Sequence, residues 1–179
     1  MEASDREEEL KRLAVAFYSQ PKGTAKELAD AVGISKATFY RIYSSREHLA
    51  EILMERAQSV AASILRETDR VHTDYEEALR QMIGLHCREK EYLMFLCYGT
   101  VTGSCDDGCQ EEYRRILSGF FLRGQKAGAF RIDLPAEVMT ELFLGTIGAL
   151  FEAESQGRVA TAGLAVICEK FLLGGIRSE

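Results

Sequence analysis

Apolar residues recur at helical spacing along nearly the whole chain. Leu10, Leu13, Ala14, Phe17 and Tyr18 make a first stripe, opened by the capping-box pattern Ser4-x-x-Glu7 and stopped by Gln20-Pro21-Lys22-Gly23. Thr24 caps a short second segment with Ala25, Leu28, Ala29 and Val32 on one face, and Gly33 breaks it. Ser35 caps a third that runs to about Tyr43. Ser44-Ser45 then precedes a long fourth, with Leu49, Ile52, Leu53, Ala57, Val60 and Ile64 on one side. Further stripes follow at Tyr75–His86 and Tyr113–Gly124. Residues 92–98, YLMFLCY, are apolar all round, which predicts burial. Residues 100–108 read as a loop, and Asp133-Leu134-Pro135 marks a junction with the proline inside the first turn of a new helix. Residues 138–151 and 162–173 are apolar on most faces and need cover, from their own bundle and from a second subunit. The pattern predicts an all-α chain with no internal repeat.

Length and composition fit that picture. The 179 residues are 46% apolar and 28% charged, with only two prolines, which suits a helical globular protein with a real core. No run of 18 apolar residues is present, so no membrane span is expected, and the acidic opening MEASDREEEL lacks the pattern of a secretion signal. Five cysteines, an odd count, read as reduced thiols of a cytoplasmic protein. The net charge of −6 argues against a nonspecific nucleic-acid coat. It is unevenly spread, however. Residues 20–46 carry Lys22, Lys26, Lys36, Arg41 and Arg46 against Glu27 and Asp30, whereas residues 57–179 hold 13 basic and 18 acidic side chains.

The basic segment holds the informative motif. Thr24–Tyr43, TAKELADAVGISKATFYRIY, meets the demands of two short helices crossed through a tight turn. Small Ala29 lets the helices approach, Gly33 supplies the turn, and Leu28, Val32, Ile34, Phe39 and Ile42 fall where the pair must pack. Ser35, Lys36, Ala37, Thr38, Tyr40, Arg41 and Tyr43 are then the outward positions of the second helix. Such hydroxyls, cations and phenols suit base edges and phosphates in a major groove.

On Thr24-Ala25-x-x-Leu28-Ala29, Val32-Gly33-Ile34-Ser35-x-x-Thr38-Phe39-Tyr40-x-x-Tyr43 and Ser45-Arg46-Glu47-x-Leu49, residues 5–64 resemble the DNA-binding domain of TetR/AcrR-type transcriptional regulators. The resemblance implies a helix-turn-helix domain over residues 1–46, a linking helix over 46–65, and an effector-binding and dimerisation bundle over 66–179. It implies phosphate contacts from Thr24, Tyr40, Tyr43 and Arg46. It places base contacts in Ser35, Lys36, Ala37 and Thr38, with Lys36 and Thr38 as the chief readers. It further implies a homodimer joined through the last two helices, a double-stranded DNA operator, a small-molecule effector and repression. Half-sites would lie about 34 Å or somewhat more apart.

The second half is less specific. Tyr92, Phe95, Tyr98, Phe120, Phe121, Phe143 and Ile147 are candidate walls of an effector pocket, with His86, Thr100, Thr102, Thr146 and Glu152 as polar partners. Ordinary core packing is the competing reading of each. Cys97, Cys105 and Cys109, with His86 and Cys87, offer a weak metal or redox pattern, and a helical sensor that does not bind DNA is the alternative function. No cofactor or metal is expected. No nucleophile motif, phosphate loop or HExxH stretch is present, so the sequence offers no catalytic residues.

Overall fold

A computed structural model describes residues 3–101 and 107–177, with side chains placed over 5–97 and 108–177. Among the described residues nine helices follow in order: α1 Ala3–Ser19, α2 Ala25–Val32, α3 Lys36–Tyr43, α4 Arg46–Thr68, α5 Tyr75–Arg88, α6 Lys90–Val101, α7 Asp107–Lys126, α8 Ala136–Ser155 and α9 Leu164–Ile176. Pro135 stands at the N-cap of α8, one place before its first turn. No helix among them is long and apolar enough to cross a membrane.

The chain divides into two compact units, residues 1–61 with 91–105, and residues 62–90 with 106–179. In the first, Leu13, Ala14, Leu28, Ala29, Phe39, Leu49 and Leu53 form a core closed to water. Local chemistry sets its helix ends. Thr24 and Glu27 make a complete capping box at the start of α2. Gly33 ends α2 in the left-handed region, at φ 76°, where its N–H reaches the carbonyls of Ala29 and Asp30. Ser35 caps α3, its hydroxyl accepting from the Thr38 N–H at 3.1 Å. Between α3 and α4 the backbone makes a three-residue γ-turn: Ser44 has φ 61° and ψ −51°, and the Ser45 N–H donates to the Tyr43 carbonyl at 2.6 Å.

The first unit also takes in α6 beyond Lys90, which differs from the division at residue 65 expected from the sequence. The reason is cover for an apolar helix. Tyr92 is fully buried beside Glu7 and Arg56, and Phe95 meets the ring of Phe17 edge-on, with centroids 5.5 Å apart.

The second unit is built on aromatic rings. Phe120, Phe121, Phe130 and Phe143 are buried, with neighbouring centroids 5.5–6.1 Å apart. Gly124 is required for this arrangement, because a Cβ there would lie 2.2 Å from the Phe130 ring. The chain is pinned beyond that point by the Arg131 N–H donating to the Ile176 carbonyl at 2.9 Å. Lys90 and Glu154 form a largely buried ion pair at 2.7 Å. Outward on α8 and α9, Val138, Leu142, Val166, Ile167 and Phe171 are exposed.

Candidate nucleic-acid interface

Each functional side chain of α2 and α3 is placed by a cap or by the buried face opposite it. Phe39 is fully buried, so the opposite flank of α3 faces water: Ser35, Lys36, Ala37, Tyr40 and Arg41 are all exposed. The Lys36 ammonium lies 5.8 Å from the centre of the Tyr40 ring, a loose cation–π contact that leaves it open to a partner. Thr38 is half-buried, and its hydroxyl is 2.9 Å from that of Ser35. Of the two expected chief readers, Lys36 is therefore the more available.

Thr24 is exposed but occupied. Its N–H and hydroxyl both donate to one carboxylate oxygen of Glu27, at 2.6 and 2.8 Å. These bonds, with Lys26 nearby, hold the Glu27 carboxyl below its ordinary value. Glu27 belongs to the site and was not among the candidates, although Thr24-x-x-Glu27 is a capping-box spacing readable in the sequence.

Two of the expected phosphate ligands have partners inside the fold. Tyr43 has no exposed surface, and its hydroxyl donates to a carboxylate oxygen of Glu9 at 2.6 Å. Burial, and then the Glu9 carboxylate, push that phenol well above its usual range. One turn beyond Phe39, Tyr43 shares its inner face and braces α3 against α1. Arg46 is half-buried, its Nε donating to the Gly23 carbonyl at 2.9 Å and its Nη2 to the Pro21 carbonyl. Its guanidinium stacks over Phe17 at 4.1 Å. The α1–α2 turn holds this cation.

The candidate effector walls fall in both units. Tyr92 and Phe95 serve the first unit, and Phe120, Phe121, Phe143 and Ile147 are buried in the second. Tyr98 and Thr100 lie in α6 outside the described side chains, and Thr102 lies outside the described residues. Thr146 and Glu152 are half-buried on α8. His86 is buried in the second unit, with its Nδ1 2.7 Å from the Met82 carbonyl and its Nε2 2.6 Å from the Tyr113 hydroxyl. Nδ1 carries the proton toward Met82, which leaves Nε2 to accept from Tyr113. Burial lowers its pKa to about 4, against the opposing pull of the Met82 carbonyl.

The cysteines group differently from the expected pattern. Cys105 lies outside the described residues, Cys97 belongs to the first unit, and Cys109 to the second. Cys87 on α5 pairs with Cys168 on α9, and that neighbour, with burial, pushes the Cys87 thiol above its usual range. Among the described residues no three His, Cys, Asp or Glu side chains are placed to share a metal ion.

Two short helices crossed through a left-handed glycine, the second with a bare polar flank, define a helix-turn-helix DNA-binding protein. The HTH-type transcriptional regulator NfxB of Pseudomonas aeruginosa is 38% identical over 170 residues, which span 93% of this chain and 91% of that protein. Among solved structures, the ketosteroid regulator KstR2 of Mycobacterium tuberculosis superposes with a TM-score of 0.72 at 17% identity, covering 100% of this chain and 98% of that one. The TetR-family regulator PfmR of Thermus thermophilus gives 0.64 at 20% identity, covering 93% and 97%. No protein-family model matches the chain. The chain belongs with the HTH-type transcriptional regulators, and its fold is that of TetR-family structures. It is a helix-turn-helix transcriptional regulator, which sets aside the sensor that leaves DNA alone.

Proposed function

We propose that two copies of this chain join through α8 and α9 and set α3 of each into successive major grooves of a palindromic operator, repressing transcription until a small molecule enters the second unit. The exposed flank Ser35–Arg41 over the buried Phe39 carries the reading. Lys36 is the base reader, and Tyr40 and the capped N-terminus of α3 meet phosphates. The apolar band of Val138, Leu142, Val166, Ile167 and Phe171 supports the pairing, since exposed patches of this kind mark association surfaces. The buried rings of Phe120, Phe121 and Phe143 favour a largely apolar effector in the second unit. The protein works in the cytoplasm, where its thiols stay reduced.

Selection of duplexes from a random library by the full chain tests this. The expected product is an inverted repeat with half-site centres about 34 Å or somewhat more apart. Lys36→Ala shifts the preferred base and costs about 1–3 kcal/mol on the selected site. Phe171→Asp yields monomers by sedimentation and weakens binding. A selected site without inverted symmetry, or a Phe171→Asp protein that stays dimeric, refutes the arrangement.

A further inference from the structure

The contacts of Arg46 give it a role other than the one its place in the motif implies. Its Nε and Nη2 are spent on two main-chain carbonyls of the α1–α2 turn, those of Gly23 and Pro21. The guanidinium plane lies on Phe17, with 4.1 Å from Cζ to the ring centroid. The turn it grips is tight: the Gly23 N–H donates to the Gln20 carbonyl at 2.8 Å, and a Cβ on Gly23 would lie 3.0 Å from that same oxygen. Gly23 immediately precedes Thr24, the N-cap of α2. Arg46 itself opens α4, one helix beyond the reading helix. One side chain therefore ties the start of α2 to the end of the α3–α4 turn, and so fixes both ends of the helix-turn-helix. The cations left exposed at this corner are Lys22 and Lys26.

We propose that Arg46 is a positioning residue, which fixes the α1–α2 turn and with it the seating of α2 and α3, and is not a phosphate ligand. Planar, forked geometry is what the role demands. An arginine can donate in two directions within its plane while that plane lies on a ring; a lysine ammonium is a point charge and cannot. A phosphate contact leaves a different mark, since each neutralised phosphate releases counterions and adds to the salt dependence of binding.

The test uses the full chain and a duplex selected by the wild-type protein from a random library, with binding measured across a salt series. The inference rests on α3 reading DNA; failure of that reading appears as no duplex selected by the wild type, before any variant is made. Arg46→Lys should bind the selected duplex at least tenfold more weakly, with the slope of log affinity against log salt unchanged. Amide exchange over residues 21–27 should quicken in the same variant. Arg46→Lys binding as tightly as wild type overturns the proposal. So does weakened binding by Arg46→Ala with a slope reduced by about 0.9 for each protomer, the signature of one lost phosphate contact.

Discussion

The two units solve the same problem, closing helices around a core, by different means. The first is the smaller, and its α2 and α3 have only eight residues each. It relies on polar groups at helix ends and core edges: Thr24 with Glu27, Ser35 with Thr38, Tyr43 with Glu9, Arg46 with two carbonyls. The second closes on rings, with the His86–Tyr113 pair as a polar exception inside it. Their surfaces differ accordingly. The first turns a polar, locally basic flank outward, suited to a polyanion that stays hydrated. The second leaves Leu142, Ile167 and Phe171 in water, which suits an apolar partner. The two surfaces thus suit partners of different chemistry.

Glycine gives the sharpest way to break this contrast, because each unit uses one for a different reason. Gly124→Ala drives a methyl into the Phe130 ring and should cost about 3 kcal/mol, read as a lowered midpoint of thermal or urea unfolding. A loss below about 1 kcal/mol would mean that the ring moves aside and the aromatic core is looser than described. Gly33→Ala meets no neighbour within 4 Å and strains only the backbone, at φ 76°. It should cost about 1–2 kcal/mol.

Acid probes the buried polar exception. The ordinary His value is 6.5, and burial lowers that of His86 to about 4 in the folded protein. Between those values the unfolded chain binds more protons, so the stability due to neutral His86 is complete above pH 6.5 and is lost as pH falls. The loss amounts to about 3 kcal/mol by pH 4. His86→Gln should flatten that part of the stability profile, and an unchanged profile would place the acid sensitivity elsewhere. The smallest effect belongs to the γ-turn of the first unit. Ser44→Gly relieves a positive φ at a non-glycine residue and should gain about 0.5–1 kcal/mol, whereas Ser44→Ala should gain nothing.

The limits of α2 and α3 were legible because short-range bonds set them. Thr24, Gly33 and Ser35 act on neighbours three or four residues away, and that spacing is written in the chain. The bare flank of α3 followed from the same period, once Phe39 was given to the core. Long-range partners were not legible. The inward turn of Tyr43 depends on Glu9 in α1, and the capture of Arg46 depends on carbonyls beyond α3. The apolar run at residues 92–98 announced burial but not its partner, Phe17 of α1, which lies far away in the chain. By itself the sequence determined where helices start and stop and which faces avoid water, since those depend on local hydrogen bonds and side-chain periodicity. Only the tertiary structure decided which polar side chains are consumed inside the fold and which remain for DNA, because a donor's availability depends on acceptors brought to it from distant parts of the chain.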